Sequence, residues 1–360
     1  MFKRLRSILT NTKPEPAADS GPLLNVYSTL SALPPLDFVH TLVAGRDLSD
    51  PELLPHLNGF IGYVLSRGDR QMTQTRYHLM RHLQHVQQHV SLRVRGSALP
   101  TFERWAMSAN AVVFLEDGSV RDPQGRVLID GDGKQDPEAQ VPYPPDASQR
   151  KARSEALLAQ RGLQAAPSLP PVFGAAEARW RPSAEVAGRA MALLVVATYA
   201  ESVRDGQALA VAHMRERLPA AFDHLSPKEQ AFLQMSEPDT HTVNQMGWRY
   251  ESLALLAWAL GLLPELAYPE QICDVRRLCA TLLQTATPDW LWQVQLRPAG
   301  EMLDALDLHY RLHWITREAE LGRREMPPKL ISSVVLERHY ALNWLVRFEN
   351  SDWDDVDTPT

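Results

Sequence analysis

In the second half of the chain, apolar residues recur at helical spacing almost without interruption. The pattern predicts helices over residues 183–204, 299–321 and 333–348, with another opened by Pro269 and running to about 285. Ser226, Pro227 and Glu229 form a capping-box-like helix start. Residues 248–263 are apolar on nearly every side after Ser252, which predicts a helix buried all round. The first half is shorter in period and mixed. Strands are predicted over 24–30, 59–65 and 111–115, the last closed by a turn at Glu116-Asp117-Gly118. Residues 126–130 read as its hairpin partner across Asp122-Pro123-Gln124-Gly125. Helices are predicted from Asp50, with Pro51 at the first helical position, over 73–90 and over 102–107. The fold class that follows is α+β: a small mixed module, then an all-α helical bundle.

Punctuation divides the chain. Residues 1–22 read as a flexible leader and 23–130 as the α+β module. Residues 131–182 read as a Pro-rich connector with one helix, capped by Asp146 and ended by Gly162. The helical domain covers 183–350, and 351–360 is an acidic tail whose Trp353 is expected to dock. The 360 residues are 44% hydrophobic and 22% charged, enough apolar material for a core in each part. The net charge of −6 argues against a nucleic-acid partner. The basic N-terminus lacks the apolar stretch of a secretory signal, although Phe2, Leu5, Ile8 and Leu9 could touch a membrane surface. The longest apolar run, 253–263, is shorter than the roughly 20 residues of a membrane span. Cys273 and Cys279 form no CxxC pair and read as inert thiols of a reducing compartment, so the expected location is cytoplasmic.

Three clusters could carry chemistry. His78, His82, His85 and His89 share one face of the predicted 73–90 helix, a spacing that can hold zinc, nickel or copper. No acidic partner lies within that helix, and the alternative is polar imidazoles flanking a core stripe. A near-repeat, His-Tyr-x-Leu-x-Trp, occurs at His309–Trp314 and His339–Trp344; if the two helices pair antiparallel, similar side chains meet across a seam. Finally, Arg249, Glu251, Asp304, Asp307, His309, Arg311, His313, Glu337, Arg338 and His339 stand on largely apolar helices. Charges there must pair with one another or surround a ligand. No P-loop, GxSxG, GxGxxG or CxxC motif is present, and no cofactor is expected.

Gly247-Trp248-Arg249-Tyr250-Glu251, the run 255–261, the segments 303–314 and 337–344, and Trp353-Asp354-Asp355-Val356-Asp357-Thr358 resemble bacterial proteins that carry the domain of unknown function 4272. The resemblance is clearest from about Asp146 onward. The stretches 72–78 and 117–123 resemble the N-terminal part of longer members. It implies no activity and carries over no catalytic residue. The leading expectation is a non-enzymatic binding or scaffold protein acting through a protein partner. The alternative is an enzyme or small-ligand sensor with an acid/His/Arg site in the helical domain, and a third is a metal-responsive module using the histidines.

Overall fold

The computed structural model describes residues 21–285 and 290–360. The leader and its Phe2, Leu5, Ile8 and Leu9 therefore lie almost wholly outside the described residues. The chain divides into two compact units, with the boundary between Tyr143 and Pro144. The fold class is α+β, as the periodicity predicts.

The first unit is built on a six-stranded antiparallel sheet, in the order β2-β3-β1-β4-β5-β6. Its strands are β1 (Leu23–Ser28), β2 (His40–Asp47), β3 (Gln88–Val94), β4 (Ala111–Leu115), β5 (Val120–Arg121) and β6 (Val127–Ile129). Three helices accompany them: α1 (Leu53–Leu65), α2 (Gln74–Gln84) and α3 (Leu99–Ser108). Alternation along the strands sends side chains to two cores. Tyr27, Val112 and Val120 pack with α1 and α2 through Leu53, Leu57, Phe60, Leu79 and Leu83. Leu24, Val26, Leu92 and Val113 pack with Phe102, Trp105 and Ala106 of α3. Helices thus cover both faces, and β1 is central, pairing Val26 with Val90 on one side and Val113 on the other.

Three local expectations are corrected here. Residues 59–65 are helix, not strand. The buried residues of α1 are Leu53, Leu57, Phe60 and Val64, so a helical period begun upstream overrides the local β-like composition. The helix predicted to run to Val90 ends at Gln84, with His85 as its C-cap. Residues 88–94 then join the sheet as β3, where Val90, Leu92 and Val94 alternate. The partner of β4 is β5, and β6 pairs with β5 instead. The turn between β5 and β6 is held by buried Asp122, which accepts from the Gln124 and Arg126 amides, both at 3.0 Å.

The second unit is helical. In order it holds α4 (Pro145–Gln160), α5 (Ser183–Arg204), α6 (Val211–Arg217), α7 (Pro219–Phe222), α8 (Pro227–Gln234) and α9 (Thr240–Ala259). There follow α10 (Val275–Thr285), α11 (Trp290–Gln293), α12 (Ala299–Leu321) and α13 (Ser332–Leu345). The helix foreseen inside the Pro-rich connector is α4, and it belongs to this unit. The capping box at Ser226 and Glu229 is formed as its sequence predicts. In α9 every residue from Tyr250 to Ala259 is buried. The helix begins at Thr240, earlier than its apolar run, because the Asp239 side chain caps it. Helix α5 is long and apolar enough to cross a membrane, yet 78% of its apolar window is buried inside the unit, as in a core helix. Helices α5, α9 and α13 share one apolar core.

The acidic tail docks onto this core. Trp353 is buried, with Tyr340 and Trp344 edge-on to its ring, each at a centroid distance of 5.2 Å. The Tyr340 hydroxyl donates to the Trp353 carbonyl, and Asn343 donates to the Asp357 carbonyl at 2.8 Å. Asp354 accepts from the Lys228 amide at 2.9 Å, beside the start of α8. Removing a buried indole typically costs about 3–5 kcal/mol. Trp353→Ala should therefore lower unfolding stability by about that amount, read by urea denaturation, and Asp355→Ala on the exposed side of the same turn should change it little.

Candidate functional site

The helical unit buries arginine repeatedly, and each buried guanidinium meets a carboxylate. Asp307 and Arg311 lie four residues apart on α12, the spacing at which side chains stack on a helix face. Both are fully buried. Arg311 donates to the two Asp307 oxygens, each at 2.9 Å, and to the Pro170 carbonyl at 3.1 Å. This two-pronged geometry is the strong form of an arginine–carboxylate contact. On α9 and α13, Arg338 donates to Glu251 Oε2 at 3.0 Å and to the Ala267 carbonyl at 2.6 Å. The other Glu251 oxygen accepts the Cys273 amide at 2.5 Å. Arg249 reaches Glu337 at 3.1 Å, and the Ser252 hydroxyl donates to that carboxylate at 2.7 Å. A further pair, Arg189 with Glu229, joins α5 to α8 in the core.

The near-repeat brings two histidines together, though not at equivalent positions. His313 on α12 faces His339 on α13 with Nδ1 atoms 3.0 Å apart. One Nδ1 must donate and the other accept, so the two rings cannot both be protonated at Nδ1. Burial, with the Arg317 guanidinium, pushes His313 down to about 4. Its Tyr310 neighbour lies 5.9 Å from the His339 ring centroid.

His309 is different. Its Nδ1 lies 2.8 Å from the Ala305 carbonyl one helical turn earlier, and so donates to it. Burial and nearby Arg338 push the imidazole down to about 3, so it is neutral. Nε2 is thereby left as a bare acceptor, buried and without a hydrogen-bond partner among the described residues. Tyr268 Oη is in the same condition. Both residues line an open cleft of about 540 Å³ formed by α4, the end of α9, the chain at 264–269 and α12. Its walls include Leu157, Leu266 and Leu308. Arg150 and Arg153 both donate to Asp304 Oδ1 in the same cleft, at 3.0 and 2.7 Å, and the Asp304 side chain is half exposed. Arg297 is engaged by the Trp258 carbonyl at 2.6 Å and by Glu301 at 3.1 Å. Arg161 lies over the Tyr268 ring at 3.7 Å and has no carboxylate partner among the described residues.

The candidates taken from the sequence therefore separate into three groups, of which His313 with His339 is one. Glu251, Asp307, Arg311 and Arg338 pair with one another in full burial, and Arg249 with Glu337 in partial burial. Asp304 and His309 face the cleft, where Arg150, Arg153, Arg161, Arg297 and Tyr268 join them. Those five residues were not foreseen. Arg150 and Asp304 are 154 positions apart, and no local spacing encodes such a contact.

His78, His82, His85 and His89 do not share a helix face, because α2 ends before His85. His82 donates from Nε2 to the Tyr27 carbonyl at 3.1 Å. His78 packs edge-on to Tyr143. His85 caps α2, and His89 sits on β3 between the Tyr27 and His56 rings, at 4.6 and 4.8 Å. Among the described residues, no group of three or more His, Cys, Asp or Glu side chains is placed to hold a metal ion.

Breaking a buried ion pair by removing one partner costs about 3–5 kcal/mol, because a lone charge remains. Asp307→Asn and Arg311→Met should each destabilise by about that much, and the double variant by clearly less than their sum. Chemical denaturation of the four forms checks this.

The buried imidazoles also predict an acid dependence. Burial holds His82 and His89 to about 4, like His313, and His309 to about 3. In the unfolded chain they take up protons near 6.5. The unfolded state thus binds more protons as pH falls below about 6.5, and stability falls until these folded-state values are reached. Each such histidine contributes a slope of about 1.4 kcal/mol per pH unit in that window. Unfolding free energies measured at pH about 7 and about 5.5 should differ by several kcal/mol, the acid value being lower.

No curated protein and no solved structure matches this chain. A family model described as Domain of unknown function (DUF4272) matches residues 150–356, which takes in all of the helical unit but a few residues at each end. Both the buried arginine–carboxylate pairs and the cleft lie within that match, and the chain belongs to the DUF4272 family.

Proposed function

We propose that this is a non-enzymatic binding protein whose helical unit takes a small molecule in the cleft beside α4 and α12. The observation that carries this reading is His309. A buried acceptor left without a hydrogen bond costs about 1–3 kcal/mol. Nε2 and the Tyr268 hydroxyl are two such atoms on one cleft wall. A ligand or a water reaches these two buried atoms, and restores their bonds, once the cleft wall parts slightly around it. The volume, about 540 Å³, lies within the range of small-molecule sites.

The state of the charges supports binding over turnover. A general acid or base needs a group free to exchange its proton near neutral pH. Glu251, Asp307 and Glu337 are instead engaged by arginine, and burial holds His309 and His313 neutral. A ligand-binding role asks only that the cleft be shaped and polar at chosen points.

Leu157 is a partly exposed residue of the cleft wall on α4, so Leu157→Trp fills the cleft without touching the buried pairs. Purified full-length protein, equilibrated with a cell's small-molecule extract and examined by native mass spectrometry, should retain a ligand. The Leu157→Trp protein should retain about tenfold less or weaker still. Equal retention by both, or none by the wild type, contradicts the reading.

A further inference from the structure

We infer that the ligand of this cleft is an amphipathic organic anion, its charged head at Arg161 and its apolar body against Leu157, Leu266 and Leu308. The inference rests on the cleft being a ligand site. Its first ground is charge. The cleft is lined by four guanidinium groups, Arg150, Arg153, Arg161 and Arg297, against three carboxylates, Glu265, Glu301 and Asp304. Asp304 is shared between two of the arginines, and Glu301 is taken by Arg297. Glu265 is exposed and makes no ion pair among the described residues. Arg161 is the guanidinium without a carboxylate.

The second ground is how Arg161 is held. The Arg161 guanidinium is held over the Tyr268 ring, 3.7 Å from its centroid, and no hydrogen bond takes up its N–H groups among the described residues. A planar fork restrained in this way suits two-point recognition of a carboxylate or a phosphate. Arg153 is itself more than half exposed at the same cleft and adds positive potential.

The third ground is the wall. Leucines on α4, on the chain after α9 and on α12 line the cleft, so a fully polar anion would leave this surface in water. Buried His309 Nε2 accepts a hydrogen bond and offers none, which suits a neutral part of the ligand or a bridging water and not a second anionic group.

Isothermal titration of the full chain with octanoate, octyl phosphate, octanamide and acetate tests the inference. Octanoate or octyl phosphate should bind about tenfold or more tightly than octanamide and than acetate. The stronger of the first two tells a carboxylate site from a phosphate site. Arg161 is exposed, so Arg161→Gln should fold normally and lose the preference for the anion over octanamide. Octanamide binding as tightly as octanoate, or an unchanged preference in Arg161→Gln, overturns the inference. If those results come with Leu157→Trp still abolishing binding, the cleft remains a ligand site for a neutral molecule. If Leu157→Trp leaves every affinity unchanged, both the anion and the cleft are rejected.

Discussion

The helical unit depends on neutralising guanidinium groups where its helices leave no room for water. Helix α9 is buried along ten successive residues, and α12 and α13 carry charges into the same interior. An unpaired charge there would be expelled or would unfold the unit. Three pairs satisfy the condition in full burial: Arg311 with Asp307, Arg338 with Glu251, and Arg189 with Glu229. The first two also tie distant chain to the bundle through the arginine's or the glutamate's spare hydrogen bonds. Arg311 reaches the Pro170 carbonyl, Arg338 the Ala267 carbonyl, and Glu251 the Cys273 amide. Such pairs fix which loop lies where, and apolar contacts alone would leave that choice open.

This distinction separates framework from site. The framework pairs are buried, and each guanidinium there meets a carboxylate. The cleft is open at its rim, has an arginine with no carboxylate among the described residues, and keeps two buried polar atoms unbonded. His309 belongs to α12, as Arg311 does, yet it lies on the cleft side of that helix. One helix thus supplies the framework through Asp307 and Arg311 and the site through Asp304 and His309. The tail shows the same economy of parts. Its acidic residues alone would remain solvated, but Trp353 anchors it and Asp354 then reaches the start of α8.

Much of this was legible wherever the information is local. The Asp307–Arg311 spacing and the capping box at Ser226 involve neighbours on one helix turn, and both form as read. The strands Leu23–Ser28 and Ala111–Leu115 and the helices Ser183–Arg204 and Ala299–Leu321 follow from periodicity. Residues 59–65 misled because Phe60, Ile61, Tyr63 and Val64 suit a strand taken alone, whereas the period that decides them starts at Leu53. The histidine spacing misled because Gln84 ends the helix halfway along it, and His89 obeys the two-residue period of β3. The cleft could not be read. It joins Arg150 to Asp304 and Arg161 to Tyr268 across loops whose path the sequence does not encode locally.

The central claim is that the buried arginines are rigidly held, dehydrated partners of carboxylates. Nitrogen-edited NMR of the guanidinium groups tests it directly at neutral pH. Arg311 and Arg338 should show Nε–H signals protected from exchange with water and distinct, slowly rotating terminal N–H groups, while Arg161 should show none of this protection. Rapid exchange and averaged terminal signals from Arg311 and Arg338, indistinguishable from those of exposed arginines, would contradict the account.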